Sequence, residues 1–167
     1  MTRLLLIAFA SAIFTSCYSY RIFPKEYRDF TYNGPKQTAF ILNPGLKKES
    51  EILKESNIFI FTADSNCENC VRVKLSRLDK HLVCGQALIV NAITAGQLPV
   101  IFPDRYQYTF DEIHAGDTVI RNFELKIAQR TWFWDMFVLH KKFNQKAGKA
   151  LLANYYTADA SSAAAKR

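Results

Sequence analysis

Residues 106–128 read YQYTFDEIHAGDTVIRNFELKIA, and the fold depends on the pattern in this stretch. Large apolar residues alternate with polar ones at 106–110 and again at 123–127. Successive side chains of a strand point to opposite faces, so each segment is typical of a strand with one buried face. His114-Ala115-Gly116-Asp117 lies between them as a turn, because Gly116 tolerates a positive φ angle. The stretch therefore predicts a long antiparallel hairpin.

Shorter strands are predicted on the N-terminal side of this hairpin. Residues 38–42, 58–63 and 87–94 are apolar runs too short for buried helices, and 71–75 alternates apolar and polar residues. Segment 58–63 has the composition of a central strand. We expect it to form a hairpin with 71–75, and we expect 20–32 to be an irregular or edge-strand lead-in.

Two helices complete the predicted architecture. Charged residues surround a narrow apolar edge at 46–56, and Phe143, Ala147, Leu151 and Tyr155 recur at four-residue intervals near the C-terminus. The sequence thus predicts a mainly β fold, as an antiparallel sandwich or a small half-open barrel. It has a short middle helix and a C-terminal amphipathic helix, and α+β is the alternative description.

The N-terminus has the layout of a signal peptide. Arg3 precedes an uncharged apolar run at 4–14, and Thr15, Ser16 and Cys17 follow. This run is too short for a membrane-spanning helix, which needs roughly 20 apolar residues. The pattern indicates export rather than a spanning anchor.

Phe14-Thr15-Ser16-Cys17 resembles the lipobox of bacterial lipoproteins, in which small residues precede a cysteine. The resemblance covers only the leader. It implies that Cys17 becomes the mature N-terminus and carries a thioether-linked diacylglycerol, with a further acyl chain such as palmitate on its amine. The rival interpretation is an ordinary secretory leader, for which Ala10-Ser11-Ala12 offers a small-x-small cleavage pattern.

The expected domain boundaries and the expected cellular location both follow from this leader. We expect a signal peptide at 1–16, one globular β-rich domain at 17–157 and a flexible tail at 158–167. No acidic residue directly follows Cys17. By resemblance, this implies a lipid-anchored protein of the bacterial cell envelope, at the outer membrane and facing the periplasm.

The remaining cysteines allow two interpretations. Cys67, Cys70, His81 and Cys84 have a spacing that would supply four zinc ligands. In an oxidising compartment, a structural disulfide with one thiol left over is the favoured alternative. A thioredoxin-like pair is disfavoured, because a strand rather than a helix is predicted to follow Cys70.

Catalytic motifs are missing from the sequence. It has no Gly-x-Ser-x-Gly elbow, no His-Glu-x-x-His helix and no suitable Ser-x-x-Lys. His114 with Asp111, Glu112 and Asp117 suggests an acid–base or metal cluster, but a solvated turn is the more usual outcome for such residues. We expect a non-enzymatic protein without a cofactor, apart from the lipid on Cys17.

Charge and aromatic content indicate the kind of partner. The formal net charge is +7, and segment 132–137 concentrates aromatic residues around Phe133. We expect Phe133 and the helix lysines Lys142, Lys146 and Lys149 to contact another envelope protein or anionic lipid, and we expect no nucleic acid partner. The leading hypothesis is a membrane-tethered lipoprotein with a binding or structural role. The alternatives are a carrier of a hydrophobic small ligand, and a zinc or redox site at the cysteines.

Overall fold

The computed structural model describes residues 18–81, 98–131 and 142–164. Cys17, Cys84, Phe133 and the strand predicted at 87–94 lie outside these ranges. In chain order, the elements are β1 (Tyr18–Phe23), a 3-10 helix (Lys25–Arg28), β2 (Thr38–Ile41), α1 (Lys47–Ser56), β3 (Ile60–Phe61), β4 (Val71–Leu75), β5 (Asp79–His81), β6 (Val100–His114), β7 (Asp117–Thr131) and α2 (Phe143–Ala164).

The hairpin predicted from 106–128 is confirmed and is longer than the pattern indicated. Strands β6 and β7 pair antiparallel in one uninterrupted register, from His114 opposite Asp117 to Val100 opposite Thr131. The two turn residues, Ala115 and Gly116, have φ angles of 42° and 107°. Two-residue turns with positive φ match the twist of the flanking strands, which explains the continuous ladder.

The described strands form one mixed sheet in the order β1-β7-β6-β4-β2-β3, with β5 pairing beside β6. The mainly β class with a middle and a C-terminal helix is confirmed. The second layer is helical, because α1 and α2 pack against one face of this sheet and bury its apolar side chains. The edge strand predicted within 20–32 is β1, which pairs antiparallel with β7.

The expected hairpin between 58–63 and 71–75 is wrong. Strands β3 and β4 both pair parallel with β2, which lies between them. Helix α1 packs back on the sheet after β2, and a helical crossover of this kind brings the next strand in parallel. As a result β3 is a two-residue edge strand, while Ile58 and Phe59 enter the core before it begins.

The apolar residues that recur at four-residue intervals in the C-terminal helix pack against the core, as predicted. Ala147 and Leu151 are fully buried, and Phe143 and Tyr155 pack against the core. The ring of Tyr155 lies 6.1 Å from that of Phe59 and 6.0 Å from that of Phe123. Helical backbone continues to Ala164, past residue 158 where the sequence suggested that a tail begins.

Helices α1 and α2 approach each other closely at Gly148. A Cβ atom placed there would lie 2.6 Å from the Glu55 carbonyl carbon and 2.6 Å from the Ser56 nitrogen. Both are backbone atoms, so no side-chain rotation relieves the contact. Gly148 weakens the helix slightly by its conformational freedom, but the helix packing requires it.

We predict that Gly148→Ala lowers the free energy of unfolding by about 1–2 kcal/mol. An overpacking cost of roughly 1–3 kcal/mol exceeds the gain of up to about 1 kcal/mol in helix propensity. Gly45→Ala is the control, because open space surrounds that position. Urea denaturation of both variants checks the prediction, and a stabilised Gly148→Ala protein would contradict the close packing.

Candidate functional site

The sheet face opposite the helices, called here the open face, carries an excess of positive charge. Strand register assigns its side chains, since directly paired residues share a face. Most are exposed or half-buried, although Ala128 is buried. Among the strand residues that the structure describes, the cations on this face are Arg21, Arg72, Lys74, Arg105, Lys126 and Arg130, and the anions are Asp79, Asp111 and Glu124.

Large exposed apolar side chains on this face include Ile120 and Ile101 of the hairpin and Ile60 of β3. Ile120 is 70% exposed and lies opposite Asp111, near the β6–β7 turn. Ile101 is 44% exposed and lies near the other end of the hairpin. Glu124 accepts ion pairs from both Arg105 and Lys126, at 3.5 and 3.6 Å. Single exposed apolar residues are ordinary on protein surfaces, so the excess of cations is the feature that distinguishes this face.

The helix lysines do not form the exposed basic face expected from the sequence. Lys142 is exposed, but Lys146 and Lys149 are half-buried. The Lys149 ammonium donates a hydrogen bond to the carbonyl oxygen of Arg28 at 3.1 Å, which fixes α2 to the 3-10 helix. A lysine stem packs readily along apolar surface, so helical spacing alone does not reveal this structural role.

Cys67 and Cys70 are joined by a disulfide, with their Cα atoms 5.7 Å apart. They sit in the loop between β3 and β4, where the Asp64 carboxylate accepts a hydrogen bond from the Asn66 backbone N–H at 2.9 Å. As predicted, a strand follows Cys70. The pair lines an open cleft of about 440 Å³, called here the cysteine cleft, whose lining residues are Asn66, Cys67, Glu68, Cys70, Arg72, Ile113, Ala115 and Gly116.

His81 is remote from this cleft. It pairs with Arg105 on β6, whereas Arg72 beside the cysteines pairs with Ile113. Eight residues along a strand span roughly 26 Å at about 3.3 Å per residue. The structure therefore does not bring His81 together with Cys67 and Cys70. Within the described ranges, no three His, Cys, Asp or Glu side chains lie close enough together to hold a metal ion.

A buried carboxylate lies near the hairpin turn on the helix-covered face. Glu112 is 2% exposed, and its Oε2 accepts a hydrogen bond from Arg121 Nε at 3.0 Å. His114 Nε2 is 3.9 Å from the same oxygen, while Oε1 has no hydrogen-bond partner among the residues that the structure describes. Asp111 lies on the open face, so the cluster suggested from the sequence is only partly assembled. Sequence reasoning missed Arg121, which a diagonal cross-strand pairing would have indicated.

A second buried carboxylate lies further along β6. Asp104 Oδ2 accepts a hydrogen bond from the Tyr106 hydroxyl at 3.1 Å and lies 3.0 Å from Lys80 Nζ. Burial, followed by the negative charge of Asp104, raises the pKa of Tyr106 above its usual value. Burial likewise raises the pKa of Tyr108, whose hydroxyl donates to the Glu49 carbonyl at 2.7 Å.

No protein-family model and no curated protein matches this chain. Neither helix in the described ranges is both long enough and apolar enough to cross a membrane.

We predict that the protein loses stability above about pH 10, where tyrosines of the unfolded chain ionise. Tyr106 and Tyr108 keep their protons longer in the folded state, so the unfolded state binds fewer protons as the pH rises. Each contributes a loss of up to about 1.4 kcal/mol per pH unit, a limit reached where that tyrosine is ionised in the unfolded state and protonated in the folded state. The ordinary pKa of a tyrosine is about 10, so urea denaturation at pH values from about 8 to about 11 measures this slope.

Tyr108→Phe serves as the test variant. At pH 8 it is less stable by about 1 kcal/mol, because the Glu49 carbonyl loses its hydrogen bond. Its stability falls less steeply above about pH 10, so the two curves converge. Parallel curves for the variant and the wild type would contradict the role given to Tyr108.

Proposed function

We propose that this chain is a membrane-tethered lipoprotein of the bacterial cell envelope, with a non-enzymatic binding role. The observation that carries the proposal is the position of Tyr18, the residue next to Cys17. Tyr18 is already part of β1, where it pairs with Thr131. A lipid on Cys17 would therefore hold the folded domain at the membrane without an intervening linker.

The strand register also supports a particular orientation of the domain relative to the membrane. Tyr18, Thr131 and Val100 lie together at one end of the sheet, called here the base, and the β6–β7 turn lies at the other end, called here the tip. The two ends are roughly 46 Å apart at about 3.3 Å per residue. An anchor at Cys17 would place the base near the bilayer and the tip away from it.

We assign the binding role to the open face. The expected contact through Lys146 and Lys149 has little support, because both are half-buried. The open face instead combines its excess of cations with the exposed Ile120. Such a face is complementary to an acidic surface on another envelope protein.

The carrier alternative receives less support from the core. Aromatic residues suggested a ligand-binding interior, but those of the described core fill the space themselves. The ring of Phe110 lies 6.4 Å from that of Phe59 and 6.0 Å from that of Phe123, which are ordinary packing distances.

We predict that Cys17→Ser moves the protein from the membrane fraction to the soluble fraction of the envelope. A serine hydroxyl cannot form the thioether, so the only proposed anchor is lost. Intact mass of the wild-type protein extracted from membranes provides the second measurement. A lipid-free wild-type mass would contradict the anchor.

We predict that a photocrosslinker at position 120 captures an envelope partner in intact cells, whereas one at position 119 does not. Val119 is the matched control because it is adjacent, 41% exposed and on the opposite face. Lys126→Gln combined with Arg105→Gln should reduce the adduct at position 120, because both cations lie on the open face. Equal adducts at both positions would contradict the assignment, and an adduct of phospholipid mass would assign the face to the membrane instead.

A further inference from the structure

The disulfide between Cys67 and Cys70 is open to an incoming molecule. Both cysteines are half-buried and line the cysteine cleft, and the intervening Glu68 and Asn69 are exposed. We propose that this pair is a thiol–disulfide exchange site that accepts electrons from a dithiol on another envelope protein.

A nearby cation provides the charge that such chemistry requires. Exchange is faster when the departing sulfur is stabilised as a thiolate, and a neighbouring arginine lowers the pKa of a thiol. Arg72 lines the same cleft as the cysteines. Cys70 stands two residues before it in the chain, directly before β4 begins, and Glu68 is the one carboxylate among the described residues that line this cleft. The proposal gives Arg72 the role that a helix N-terminus has in other Cys-x-x-Cys pairs, which is to stabilise the departing thiolate.

The exchange balances in two steps. The partner's first thiolate attacks the sulfur of Cys67, so the bond between Cys67 and Cys70 breaks and Cys70 leaves as a thiolate beside Arg72. A mixed disulfide now joins the partner to Cys67. The partner's second thiolate then attacks the sulfur of the partner's first cysteine in the mixed disulfide, and Cys67 is released as a thiolate. Two electrons and two protons have passed from the partner's dithiol, which ends as a disulfide, to the cysteine pair.

The cleft has a position suited to a partner protein. Arg72 and Ile113 pair across β4 and β6 near the tip, on the same face as Ile120. If the proposed anchor at Cys17 holds, the cleft faces away from the membrane. This direction rests on the proposed function, but the exchange chemistry does not depend on it.

The test measures how fast the Cys67–Cys70 disulfide is reduced in the full-length folded protein. Dithiothreitol is added under native conditions, free thiols are alkylated at intervals, and peptide masses distinguish Cys67 and Cys70 from Cys84. Circular dichroism follows the fold in the same samples. We expect complete reduction while the fold is retained, and a rate about threefold to tenfold lower in Arg72→Gln, because the departing thiolate loses its cation.

Lys74→Gln is the matched control. Lys74 lies on the same strand and the same face, but it does not line the cleft. Its rate should stay within about twofold of the wild type, because charge effects between exposed groups weaken with distance. Equal rates in Arg72→Gln and Lys74→Gln, or reduction only after denaturation, would overturn the proposal. The rate is independent of lipidation, so a failed anchor at Cys17 gives a different result from a failed exchange site.

Discussion

The unbroken register between β6 and β7 is the constraint on which the described sheet depends, because β1, β4 and β5 all pair with one of these two strands. It positions Tyr106, Tyr108 and Phe110 toward the helices, and it positions the opposite side chains on the open face. A shift of one residue would exchange the two faces, since side chains alternate along a strand. The two-residue turn at Ala115 and Gly116 fixes this register from one end.

Two buried carboxylates reinforce the pairing of β6 with its neighbours, one across β7 and one across β5. Glu112 reaches Arg121 near the tip, and Asp104 reaches Lys80 and the Tyr106 hydroxyl further toward the base. A slip of β6 against β7 would separate Glu112 from Arg121, and a slip of β6 against β5 would separate Asp104 from Lys80. An unpaired buried charge costs several kcal/mol, on the order of 3–5. Apolar packing stabilises the hairpin, whereas the loss of these polar contacts destabilises the slipped registers.

Sequence reasoning succeeded where the determining pattern is local. The hairpin follows from alternation at 106–110 and 123–127, and α2 follows from its four-residue apolar spacing. It failed for β3, because parallel pairing with β2 depends on how α1 packs on the sheet. It also did not predict the hydrogen bond that the Lys149 ammonium donates to the Arg28 carbonyl, 121 residues away. Contacts between segments that are far apart in the chain produce no periodic pattern in the sequence, so pattern analysis does not predict them.

The two proposals concern opposite ends of the sheet: the lipid anchor would lie at the base and the exchange site near the tip. Residue 18, next to the expected lipid, enters the sheet at the base, while the cysteine cleft, Ile120 and Arg72 lie near the tip. The unbroken hairpin between them would keep the proposed membrane attachment and the proposed partner contact apart without a flexible linker. The same rigidity would hold the cleft at a fixed height above the bilayer. A partner dithiol must then reach that height, so the length of the hairpin would itself limit which envelope proteins can react.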